Sequence, residues 1–133
     1  MILSKKLTVN STMRSEVIDI SERLQSIVSG AKISEGVMVV SVKHSSCSLA
    51  LANKTRTYEV LTVLKRIFDD EAMTFPNREV DMMRAVVMNY LSCPLSIPIT
   101  EGQLDLGQWQ SAFLIEFVGP RAREVTVKII SED

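Results

Sequence analysis

The fold turns on residues 109–130, WQSAFLIEFVGPRAREVTVKII. Their β-branched and aromatic content makes two strands, Trp109–Val118 and Arg121–Ile130, separated by Gly119-Pro120. The first strand is apolar on both faces. Its odd positions are Trp109, Ser111, Phe113, Ile115 and Phe117, and its even ones include Ala112, Leu114 and Val118. A strand with one wet face should alternate. Either helices cover one face and a second layer the other, or one face meets another subunit. With one Trp, two Tyr and four Phe in all, the chain has little with which to cover both. A homo-oligomer is therefore expected. Val118-Gly119-Pro120-Arg121 reads as a type II′ turn, with positive φ at Gly119 and negative φ at Pro120. A two-residue loop then sets Glu116 opposite Arg123, Leu114 opposite Val125 and Ala112 opposite Val127, so acid meets base and apolar meets apolar.

Working outward, Leu95–Ile99 is a short strand that Pro98 assigns to an edge or a bulge, and Glu101-Gly102 supplies a turn. Val80, Met83, Val87, Met88 and Leu91 form a helical stripe closed by Pro94, and Val60, Leu61, Leu64, Ile67 and Phe68 form another. Asp69–Arg78 between them reads as a surface loop. Gly36–Lys43 and Cys47–Asn53 are strands. Leu24, Ile27, Val28 and Ala31 mark the first helix, which Asp19 or Ser21 can cap and Gly30 can end in a left-handed residue. Lys5–Val9 and Glu16–Ile20 are the opening strands. The order ββαββααβββ predicts an α+β fold, one layer of antiparallel sheet with helices packed on it.

The chain has 133 residues, which predicts one domain over residues 1–133. Fifteen basic and sixteen acidic residues leave a formal charge of −1, which argues against a nucleic-acid binder. Apolar runs such as Val37–Val40 are far too short to span a membrane. Met1–Val9 lacks an apolar signal core, so a cytoplasmic protein is expected.

Chemistry is concentrated in few residues. His44 is the sole histidine and lies at a strand end with Ser45, Ser46 and Ser48 after it. It serves either as a hydrogen-bonded rim residue or as a general base or phosphate donor at a pocket mouth. Cys47 and Cys93 form no metal pattern and read as small hydrophobes; a Cys47–His44 pair would need a tight turn. Arg121 and Arg123 share the strand parity of Val125, Val127 and Ile129. Either Arg123 closes a cross-strand salt bridge with Glu116, or the two arginines clamp a phosphate or carboxylate. Asp69-Asp70-Glu71 reads as a solvated helix end. No nucleophile elbow, P-loop or dinucleotide fingerprint is present.

Three stretches together resemble one family. Val42-Lys43-His44-Ser45-Ser46 leading to Leu51-Ala52-Asn53 is similar to its strand ending in His-Thr-Thr and the following strand ending in Asn-Glu. Leu95-Ser96-Ile97-Pro98-Ile99 and Leu106-Gly107-Gln108-Trp109-Gln110 resemble its Ile-Pro-Ile and Leu-Gly-Thr-Trp-Gln segments. Glu116-Phe117-Val118-Gly119-Pro120-Arg121-Ala122-Arg123 resembles its Glu-Phe-x-Gly-Pro-Arg-x-Arg segment. This is the YjbQ-like family. The resemblance implies a β-sandwich-like α+β fold with orthogonally packed sheets, a homotrimer, and a pocket at the His-Thr-Thr strand end. It also implies a secondary thiamine-phosphate-synthase-like activity, joining a pyrimidine diphosphate to a thiazole phosphate. The chain departs from the family at its further histidines, replaced near Pro76-Asn77 and Arg84-Ala85, and at Asn53-Lys54, where a charge reverses. What remains can hold an anion. His44 is the expected catalytic residue, and Ser45, Ser46, Asn53, Trp109, Gln110, Glu116, Arg121 and Arg123 are the expected ligand-binding residues, with Lys54 or Arg84 adding charge. Neither a metal nor a cofactor is expected. The expected function is binding of a small phosphate-bearing or other anionic ligand; the alternative is a catalytically inactive structural or interaction homotrimer.

Overall fold

The structure, a computed structural model, describes residues 1–67 and 77–132. Eight strands and three helices run in the order β1 (Ile2–Asn10), β2 (Glu16–Asp19), α1 (Ser21–Gly30), β3 (Gly36–Val42), β4 (Cys47–Asn53), α2 (Thr57–Ile67), α3 (Asn77–Ser92), β5 (Leu95–Thr100), β6 (Gln103–Leu104), β7 (Gln110–Glu116) and β8 (Ala122–Ser131). The expected elements are all present. The two-residue β6 is an addition, formed because Glu101 (φ 51°) and Gly102 (φ 80°) close the two-residue turn that hairpins favour. The acidic run Asp69-Asp70-Glu71, with Phe68 and Pro76, lies outside the described residues.

The strands form two antiparallel sheets, not one. The larger has the order β1-β8-β3-β5-β6 and the smaller β2-β7-β4. This overturns the single layer and also the β7–β8 hairpin. Both edges of β8 are taken, by β1 (Leu7 opposite Val125) and by β3 (Val40 opposite Val127). Both edges of β7 are taken by β2 and β4. The chain therefore crosses from one sheet to the other at residues 117–121. Gly119 does not adopt the positive φ of a type II′ turn. Its role is close approach: a Cβ there would lie 2.2 Å from the carbonyl oxygen of Met13.

Between the sheets lies the main core, with Leu24 and Val28 of α1, Met38 and Val40 of β3, Leu49 of β4, Ile97 of β5, Leu114 of β7 and Val125, Val127 and Ile129 of β8. A second cluster, built from Ala50, Leu64, Ala85, Phe113, Ile115 and Phe117, fills the space between the other face of the smaller sheet and the helices α2 and α3. Thus β7 is buried from Ser111 to Glu116 by its own chain. The two apolar faces of this strand no longer argue for a second subunit.

Two local expectations are also corrected. No side chain caps α1; the Asp19 carboxylate instead accepts the Ser21 N–H at 2.9 Å, and the Ser21 hydroxyl accepts the Ala112 N–H at 2.7 Å. Gly30 is the last helical residue, and the left-handed residue is Lys32 (φ 54°). Pro98 sits where its missing N–H costs little, because β6 extends that side of β5 only at Ile99 and Thr100.

Candidate functional site

The candidate residues fall at opposite ends of the smaller sheet. In the β4–β7 ladder Cys47 is opposite Glu116, while Asn53 is opposite Gln110. Seven strand residues separate the ends by roughly 20 Å. Asn53, Trp109 and Gln110 therefore gather at one end, and His44, Ser45, Ser46, Glu116 and Arg123 at the other.

At the far end the polar groups serve the backbone. Asn53 Oδ1 accepts the Thr55 N–H at 2.9 Å and the Thr55 hydroxyl at 2.6 Å. Gln110 Oε1 accepts the Gly107 N–H at 2.9 Å, and the Trp109 carbonyl accepts the Lys54 N–H at 2.8 Å. The Trp109 side chain is exposed.

At the near end Glu116 and Arg123 form a buried clasp between the sheets, exposed by only 0% and 2%. Arg123 donates Nε to Glu116 Oε1 at 2.9 Å and Nη2 to Oε2 at 2.5 Å. The same Nη2 reaches the Ser46 carbonyl at 3.3 Å. The Ser11 hydroxyl donates to Oε1 at 2.6 Å, and the Phe117 and Val118 N–H groups donate to Oε2. Burial alone would raise the Glu116 carboxyl, but the hydrogen bonds from Arg123 and Ser11, with the Arg123 charge, hold it below the ordinary carboxylate range. The bond to Glu116 raises the Arg123 guanidinium in turn. Acid and base do meet, as the sequence suggested, though across two sheets and not along one ladder. Arg121 uses its backbone to bind Ser11, through its N–H at 2.8 Å and its carbonyl at 2.9 Å, and its side chain is exposed.

Beside the clasp a cavity of about 450 Å³ opens where β3 ends. Lys43, His44 and Ser45 line one side, and Asn89, Cys93 and Pro94 from the end of α3 line the other. Arg121 and Arg123 are not among its lining residues. The Glu124 N–H donates to His44 Nε2 at 3.2 Å. A neutral ring with a lone pair at Nε2 carries its proton on Nδ1, which is then the donor that it can offer. Asn89 spends both amide hydrogens on the carbonyls of Cys47 and Ala85, at 2.9 Å each. Cys93 Sγ accepts the Leu49 N–H at 3.3 Å. Burial pushes the Cys47 thiol up to about 11, so this core residue holds no thiolate near neutrality. Arg84 is buried and donates to Asp81 at 2.8 Å and to the Lys65 carbonyl. Lys43, Asn89 and Cys93 were not foreseen as pocket residues. The signal was slight: Cys93 follows the last helical stripe directly, at the point where the chain must return to the sheet.

Among the described residues no helix is long and apolar enough to cross a membrane. A family model described as "UPF0047 protein YjbQ-like" matches residues 5–132. A UPF0047 protein of Methanocaldococcus jannaschii is 28% identical over 130 residues, covering 96% of this chain and 94% of its own length. The UPF0047 protein YugU of Bacillus subtilis is 26% identical over 133 residues, covering 95% of this chain and 98% of its own. The crystal structure of a YbjQ-like protein of unknown function from Sulfolobus solfataricus superposes with a TM-score of 0.85 at 26% identity, over 99% of both chains.

Proposed function

This chain belongs to the YjbQ-like UPF0047 family, and from that premise we propose that it binds a small phosphate-bearing or other anionic ligand in the cavity beside His44. One observation carries the reading. The cavity gathers a lysine, an imidazole and a hydroxyl, from Lys43, His44 and Ser45, and among the described residues no carboxylate lines it. Lys43 supplies charge, and His44 Nδ1–H and the Ser45 hydroxyl supply directed donors. Glu116, Arg123 and Ser46 hold the strand ends that carry these groups. The clasp favours a second reading as well. Because Arg123 is consumed by Glu116, the polar cluster is purely structural in that reading, and the protein is a catalytically inactive structural or interaction homotrimer of single-domain cytoplasmic chains.

Titration of the protein with inorganic phosphate and pyrophosphate, followed by amide NMR, separates the two. Saturable shifts at residues 43–45 and 93, weakened about tenfold by His44→Ala, support the ligand site. Shifts that survive both His44→Ala and Ser45→Ala, or none at all, leave the structural reading. Pyrophosphate release from the two thiamine precursors tests the activity that the resemblance implies. Release abolished by His44→Ala adds catalysis to binding, and release at the background rate leaves a binding protein.

A further inference from the structure

A second cavity lies apart from the His44 site. It is an open groove of about 660 Å³ between β1 and α1, within the size range of small-molecule sites. Leu3 and Leu7 form one wall, and Ile27 and Ala31 the other. Lys5 and Arg23 also line it, with no acidic residue among the described ones. Among the described residues neither cation has a carboxylate partner. Arg23 is held in place by donating Nη1 to the Thr8 carbonyl at 2.8 Å.

Gly30 lines the groove too. It ends α1 without a positive φ, and a Cβ built there meets nothing within 4 Å. Neither backbone conformation nor packing requires glycine, and alanine would hold the helix better. A larger side chain at this lining position would enter open space beside the groove. An apolar channel with two unpaired cations complements a chain-like molecule with an anionic head.

We infer that the β1–α1 groove binds a free, single-chain amphiphile with an anionic head, its aliphatic part against Leu3, Leu7, Ile27 and Ala31 and its head against Lys5 and Arg23. Amide NMR with decanoate, well below its micelle concentration, tests this. Saturable shifts at residues 3–7, 27, 30 and 31 are expected, with binding roughly tenfold weaker for decanol, which lacks the charge, and for acetate, which lacks the chain. Gly30→Leu should abolish binding by filling the groove, with Gly30→Ala as a folded control. Lys5→Gln combined with Arg23→Gln should weaken binding about tenfold while leaving the phosphate response of residues 43–45 as in the wild type. Four results would overturn the inference: no saturable decanoate response, a response unchanged in Gly30→Leu, shifts produced only by phosphatidylglycerol vesicles, or a change in oligomeric state in Gly30→Leu, which would make a second copy the occupant.

Discussion

Five hydrogen-bond donors converge on the Glu116 carboxylate, from Ser11, Phe117, Val118 and two nitrogens of Arg123. A buried charge pair of this kind adds little over an apolar pair of similar volume, but removing one partner strands the other. Glu116→Gln should therefore cost about 3–5 kcal/mol in urea unfolding, and Glu116→Leu with Arg123→Met should recover much of that loss. A cost under about 1 kcal/mol for the single change would place the pair among weak surface bridges. The pH dependence follows from the depressed carboxyl. The unfolded chain binds this proton more readily than the folded one, so the clasp contributes in full above the unfolded value of about 4.3. Its contribution is lost as pH falls through the lower folded value. Stability measured from neutral pH into this acid range should decline more steeply for the wild type than for Glu116→Gln.

At the scale of elements, three substitutions, two of them at glycines, separate three local geometries. At the crossing from β7 to β8, Gly119→Ala puts a methyl group 2.2 Å from the Met13 carbonyl, with the Ser11 hydroxyl at 2.7 Å and Glu116 Cγ at 2.8 Å. Backbone cannot yield as a flexible side chain does, so a loss of about 1–3 kcal/mol is expected, with disturbance of the clasp it touches. Gly30→Ala at the end of α1 meets open space, and should stabilise by up to about 1 kcal/mol through helix propensity. In the β5–β6 turn the strained residue is Glu101, a non-glycine residue at φ 51°. Glu101→Asn suits that turn better and should stabilise by about 0.5–1 kcal/mol. Thermal unfolding of the three variants reads all three signs, and a stabilising Gly119→Ala would refute the close approach argued for the crossing.

Across the whole molecule, strands and helices were legible in the sequence because alternation and helical spacing are local signals. Partner choice was not, because it is decided at long range. For β7 and β8 a hairpin register satisfies charge and apolar pairing as well as the true arrangement does, since Glu116 reaches Arg123 across the sheets just as it would across a ladder. The lone histidine at a strand end marked the cavity, whereas the Asn89 and Cys93 wall became visible only once α3 was packed against β4. The expectation of self-association has also changed its basis. It rested on β7, which the chain buries by itself. Among the described residues one exposed apolar row lies on the outer face of the larger sheet, where Ile2 pairs with Ile130 and Ile130 with Val37, exposed by 71%, 56% and 42%. Such a row is costly to leave in water and is an ordinary feature of interfaces between copies. If the chain forms a homotrimer, this face should carry the contact. Ile130→Lys, set between two apolar neighbours, should then shift sedimentation from the trimer to the monomer without lowering helix and strand content. A wild type that sediments as a monomer at micromolar concentration would remove the trimer, and a trimer indifferent to Ile130→Lys would move the contact to another face.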